Sequence, residues 1–317
     1  MHRGLLILIC LLVACCPGAG SASEYHSQAF GFDDAVLRYA VKPNESLPEI
    51  ARRFGLGYNS IMNANPDVDP YIPPTGTLLT IPAAWIVPDT TGFQGGILIN
   101  LPELRLYFFP SNMSGSVISF PIGIGDLGKD TPVGTFTIIE KKTEPTWYVP
   151  DSVRREKPYL PRVVPPGPDN PLGSHALRLS LRTILIHGTD KPWGIGRRSS
   201  FGCVRLYPED IRQLYNLVQT GTRVTIVSQA VKVAVTADGN VFVEVHRYDD
   251  RNYLHDAVRL LGEHDLLEKI DLFKLFGALQ EKRGMPVDIT AGNDLPATPI
   301  RHAASSKTGS AAERKIP

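Results

Sequence analysis

Between Ile97 and Val227 the apolar residues come in short runs, most of them closed by glycine, proline or polar turn residues. Ile97–Leu101, Leu104–Phe109, Val117–Ile124, Thr135–Ile139, His175–Leu179, Thr183–His187 and Arg223–Val227 are each of strand length. Pro102-Glu103 joins the first two as a hairpin turn does. Such runs predict a mainly-β domain, a β-sandwich or barrel-like sheet with short helices. Pro208–Thr220 breaks the pattern. Leu214, Leu217 and Val218 form an apolar stripe, and Glu209 and Asp210 sit where negative charge suits a helix N-terminus.

Within this region Ile186–Leu206 reads IHGTDKPWGIGRRSSFGCVRL. An ordinary thiol titrates near ~8.5 and needs a base to act as a nucleophile near neutral pH. Cys203 is the candidate nucleophile and His187 the candidate base. Ser200 and Gly202 lie just before the thiol, where a flexible backbone lets N–H groups of Gly202 and Cys203 point at a carbonyl oxygen. The other three cysteines, Cys10, Cys15 and Cys16, fall in an N-terminal segment with the marks of an export signal. Cleavage near Ala22 leaves Cys203 unpaired in a compartment where thiols usually pair, which favours a chemical role. Cys203, His187 and His175 do not have zinc-ligand spacing, so no metal or cofactor is expected. Gly123, Gly125 and Gly128 lack the Gly-Lys-Ser/Thr ending of a phosphate loop.

H-G-T followed by S-x-G-C-x-R-L closely resembles the L,D-transpeptidase (YkuD-type) catalytic motif. PIGIGDLGKDTPVG at 121–134 and GPDNPLGSHALRLS at 167–180 extend the resemblance over roughly residues 93–247. It departs at Phe201, where many members carry His. The resemblance implies a peptidoglycan tetrapeptide stem as acyl donor, a thioester on Cys203 and release of D-alanine. It implies that the Gly188 carbonyl orients His187 and that backbone N–H at Gly202 stabilises the oxyanion. The acceptor is a diamino acid side-chain amine, an outer-membrane lipoprotein lysine or water. Arg205 is placed to meet a substrate carboxylate, against the alternative of a structural ion pair. A cysteine hydrolase and a non-catalytic wall-binding scaffold are the competing functions.

Arg38–Pro82 has a different character, with strands at Leu37–Val41 and Leu78–Ile81 around helices at Leu47–Phe54 and Tyr58–Asn63. Ser46 and Glu49 have capping-box spacing. This βααβ segment, placed at 38–83, resembles a LysM domain, which implies binding to peptidoglycan glycan strands. Asn44, Glu45 and the loop containing Asn65 are the expected glycan contacts. The catalytic domain is placed at 93–228. Inside it, 140–173 reads as a proline-rich flap over the thiol, with Trp147 and Tyr148 as walls for substrate.

The flanks complete the organisation. Met1-His2-Arg3, the apolar run Leu5–Val13 and small residues to Ala22 read as a signal peptide at 1–22 and imply a periplasmic location. Leu12-Val13-Ala14-Cys15 also fits lipid modification at Cys15. Val231–Val235 and Val241–His246 flank Asp238-Gly239-Asn240 as a hairpin. Helices at Tyr253–Gly262 and Leu266–Lys282 complete a C-terminal extension at 229–284, and 285–317 reads as a disordered tail. The layout resembles the Gram-negative branch that links lipoprotein to the wall. With 33 Lys and Arg against 32 Asp and Glu, there is no basic excess to support nucleic-acid binding.

Overall fold

A computed structural model describes residues 23–26, 36–110 and 116–292. The expected signal peptide, Cys15 included, and residues 293–317 lie outside that set. Val36–Ala40 pairs antiparallel with Leu78–Pro82, and helices Leu47–Arg53 and Tyr58–Ala64 lie between them. The first helix starts where the sequence signal places it, with the Glu49 carboxylate accepting the Ser46 N–H at 2.9 Å. Leu47, Ile50, Leu56, Ile61, Leu79 and Ile81 close a small core of their own.

The strands beyond Gly96 form a mainly-β core, as expected. Nine strands make one mixed sheet in the order Ser23–His26, Ser116–Pro121, Arg105–Phe109, Gly96–Asn100, Arg223–Val227, Gly134–Thr143, His175–Leu179, Leu185–His187 and Val204–Arg205. Ile97 and Ile99 face the main core with Phe120, Ile138, Leu177, Ile186 and Val204. Leu98 faces a second cluster with Tyr107 and Val117. Both faces of Gly96–Asn100 are therefore covered, which explains its unbroken apolar run. Each such buried side chain contributes roughly 1.5–3 kcal/mol. Ile211 and Leu214 seat the helix Pro208–Leu217 on this core. That helix stops before the predicted Thr220, at Leu217 with Val218 extended, and the Lys141 ammonium caps its end by donating to the carbonyls of Tyr215 and Val218, both at 2.6 Å.

The predicted flap is more regular than its proline content suggests. Its first residues continue the strand Gly134–Thr143, and Trp147–Tyr148 pairs with Val163–Val164 around a short helix, Asp151–Glu156. The buried Asn170 side chain fastens its return by donating to the carbonyls of Pro145 (2.7 Å) and Pro165 (3.0 Å).

The C-terminal hairpin Val231–Val235 and Val241–Val245 gains a third strand, Val287–Asp288. The tail therefore does not begin at 285: Ile289 is fully buried, and its N–H binds the Val241 carbonyl. The predicted helix at 266–282 is also divided. A 3-10 turn at Leu267–Lys269 precedes Leu272–Glu281, and Asp271 caps the latter by accepting N–H bonds from Phe273 and Lys274. A buried charge cluster joins this extension to the main sheet. Lys232 lies 2.7 Å from Glu103 and 2.8 Å from Glu244, and Glu244 also binds His246 and the Ile86 N–H.

Candidate active site

Two adjacent parallel strands bring the candidate residues together. Ile186 faces Val204 and His187 faces Arg205. Ile186 and Val204 point into the core, so alternation places Leu185, His187, Cys203 and Arg205 on the other face. His187 is buried, and its Nδ1–H donates to the Gly188 carbonyl at 2.7 Å. A carbonyl only accepts, so the proton sits on Nδ1 and the neutral ring keeps its lone pair at Nε2. Burial and the Arg205 charge lower the imidazole pKa to about 3, against the opposing pull of the Gly188 and Leu172 carbonyls. The His187 imidazole is thus neutral at physiological pH. A Cβ on Gly188 would approach Ile211 Cγ2 to 3.1 Å, so the turn has little room for a side chain.

Cys203 is half-buried. Its Sγ accepts the Leu185 N–H at 3.4 Å and lies 3.7 Å from the Thr183 carbonyl. Burial pushes the thiol pKa up, opposed by the Leu185 N–H and by the charges of Arg205 and Arg178. The resting pair is a neutral thiol and a neutral imidazole. The two are not hydrogen-bonded among the described contacts; such bonds often tighten only around substrate.

The loop before the thiol is braced from two sides. Ser200 Oγ donates to the Cys203 carbonyl at 2.6 Å and accepts the Gly202 N–H at 3.1 Å. Thr131 Oγ1 donates to the Gly202 carbonyl at 2.9 Å. Gly202 has φ +98°, a left-handed conformation that disfavours any side chain. Its N–H is committed to Ser200, whereas the Cys203 N–H meets no acceptor among the described residues. The backbone donor left without an acceptor beside the thiol is therefore one residue on from Gly202. Ser200, expected at the substrate, is a buried brace. Thr131 was legible only as part of the Thr131-Pro132 turn, because its partner lies 71 positions away.

Arg205 has no carboxylate partner among the described residues. Its Nη1 makes a long 3.4 Å bond to the Ser199 carbonyl, and its buried Nε has no partner. A groove beneath the flap is lined by Tyr148, Leu172, Ala176, Arg178 and Leu185. Tyr148 shares that lining with Leu185, whose N–H meets the thiol sulfur, while Trp147 and Cys203 itself are absent from it. Arg178, which the sequence reading passed over, lies on the groove wall and pairs with Glu140 at 2.8 Å. Phe201, in place of the common His, lies beneath the ammonium groups of Lys129 (3.9 Å) and Lys157 (5.5 Å). It joins the thiol loop to the flap.

The expected glycan contacts divide. Asn44 is exposed, with φ +63°. Glu45 is engaged with Tyr39, the Lys42 N–H and Arg53. Asn65 is buried and serves the backbone of Ile61 and Thr80.

The chain is 40% identical over 263 residues to the probable L,D-transpeptidase ErfK/SrfK of Escherichia coli K12, spanning 78% of this chain and 84% of that protein. It belongs to the L,D-transpeptidase family. It is also 44% identical over 268 residues to the probable L,D-transpeptidase YcfS of the same organism, spanning 80% of this chain and 83% of that protein. A model of the L,D-transpeptidase catalytic domain matches residues 94–226, and a LysM model matches 39–82. The strand that carries His187 and the loop that carries Cys203 thus lie within the matched catalytic domain.

Proposed function

We propose that this L,D-transpeptidase transfers the acyl group of a peptidoglycan tetrapeptide stem through a thioester on Cys203. The observation that carries this reading is the buried His187, its Nδ1 2.7 Å from the Gly188 carbonyl, on the same sheet face as the thiol. His187 Nε2 takes the thiol proton as sulfur bonds to the carbonyl carbon of the third stem residue. The Cys203 N–H receives the oxyanion; one such donor contributes about 2.7–4 kcal/mol. The C–N bond breaks, His187 returns its proton to the departing D-alanine amine, and the thioester remains. An acceptor amine then attacks that carbonyl and gives its proton to Nε2. The C–S bond breaks, and the sulfur recovers the proton. Arg205, which has no carboxylate partner among the described residues, holds the stem's carboxylate.

The acceptor is a diamino acid side-chain amine or a lysine of an outer-membrane lipoprotein, and the enzyme works in the periplasm. Mass spectrometry of tetrapeptide muropeptides incubated with the protein tests this. D-alanine loss with cross-linked dimers, absent with Cys203→Ala, supports stem-to-stem transfer. Adding a lysine-ended lipoprotein peptide distinguishes that acceptor. Tripeptide monomer alone under both conditions would instead indicate hydrolysis.

A further inference from the structure

The LysM domain rests on both chain segments that flank Cys203. Upstream of the thiol, the Ile195 and Gly196 carbonyls accept the N–H groups of Tyr58 (3.0 Å) and Asn59 (3.3 Å). The backbones touch here. A Cβ on Gly57 would fall 2.7 Å from Gly196 Cα, and one on Gly196 would fall 2.1 Å from Tyr58 N. Downstream, Tyr207 Oη donates to the Leu56 carbonyl at 3.1 Å. Glu209 receives a two-pronged contact from Arg52 Nε and Nη2, both at 2.7 Å. That geometry fixes orientation as well as distance.

At the edge of this seam Arg197, six positions before the nucleophile, lies 3.4 Å over the Tyr58 ring and donates to Tyr71 Oη at 3.0 Å. Its Nε is buried and has no partner among the described residues. Tyr71 and Ile72 are 61% and 81% exposed, on the LysM loop that follows Asn65. An aromatic face beside guanidinium donors suits a sugar ring, which has apolar C–H faces and polar hydroxyl and acetamido groups.

A flexible tether would only raise the local concentration of wall near the thiol. Docking on both flanks of the nucleophile instead fixes the direction from bound glycan to Cys203. We propose that Tyr71 of the LysM loop and Arg197 of the catalytic domain form one glycan subsite shared across this seam, so that a bound strand lies along it and presents its stem to Cys203 in a fixed direction. The inference rests on the transpeptidase reading above.

The test compares kcat/KM per stem for two donors, a disaccharide-tetrapeptide and a glycan strand of several disaccharides carrying the same stem. The full chain is assayed as wild type, Arg52→Glu, Gly57→Val and the charge swap Arg52→Glu with Glu209→Arg. Wild type prefers the strand by at least about tenfold. Arg52→Glu and Gly57→Val lose most of that preference while keeping the disaccharide rate, and the charge swap restores it. A wild-type ratio near one overturns the proposal, as does a preference that survives in both opened variants. No turnover of either donor by wild type overturns the transpeptidase reading itself, and this inference with it.

Discussion

His187 stands directly opposite Arg205 across a parallel strand pair, with the thiol on the same sheet face. A fixed positive charge beside a buried imidazole keeps it from gaining a proton, which lowers its pKa together with burial. Burial also pushes the thiol pKa above its ordinary value. The site therefore rests as a neutral pair, not as a thiolate-imidazolium pair. Alkylation of Cys203 by iodoacetamide will rise with pH through a single transition above the ordinary thiol range. A fast plateau below neutrality would reveal an ion pair and contradict this electrostatic account.

Arg205 carries a second prediction. It has no carboxylate partner among the described residues, which leaves it available to a substrate carboxylate under the proposed function. Arg205→Ala will lower kcat/KM by about 10²-fold, in line with the loss of one charged hydrogen-bonded contact of roughly 1.5–3 kcal/mol. Arg205→Lys will recover only part, because an ammonium lacks the guanidinium fork. Thermal unfolding of both variants, measured alongside, will change little.

Ser200 supports the thiol loop through two bonds, to the Cys203 carbonyl and from the Gly202 N–H. Ser200→Ala leaves both groups without their partner at a cost of about 1–3 kcal/mol. The expected result is a lower kcat with KM nearly unchanged, together with a lower melting temperature. Steady-state kinetics and calorimetry check the two effects separately.

Asp210 gives the protein a pH-dependent stability. Burial, and then the neighbouring Glu209 charge, raise its carboxyl pKa from 3.8 to about 8. A raised folded-state pKa contributes stability that is full below the unfolded value and is lost as pH rises through the folded one. The contribution thus declines between about pH 4 and 8. Asp210→Asn will flatten that decline, with its largest gain in melting temperature above pH 8.

Lys232 is enclosed by Glu103 and Glu244. Removing it strands buried carboxylates, so Lys232→Ala will destabilise the protein by about 3–5 kcal/mol. Urea unfolding measures the change.

Much of this was legible from local signals. The short apolar runs specify strands because their length and closing residues fit nothing else well. Ser46 and Glu49 mark a helix start because both halves of the cap lie within one turn. His187 and Cys203 stand out as the chemically distinctive pair in a loop of small residues. What was hidden depends on partners far apart in the chain. Asn65 resembles a sugar contact by its loop position, yet its amide is taken by Thr80, fifteen positions on. Ser200 and Gly202 suggest open polar groups until the fold pairs one with the other. Val287 and Ile289 sit in a polar context and give no strand period of their own; the edge of the hairpin orders them.

The most direct measurement is intact-protein mass spectrometry after a brief incubation with a tetrapeptide stem donor, acceptor withheld. The account predicts a mass increase equal to the tripeptide acyl group, mapped to Cys203, with an equal amount of D-alanine released and neither signal in Cys203→Ala. D-alanine release that persists in Cys203→Ala would contradict it.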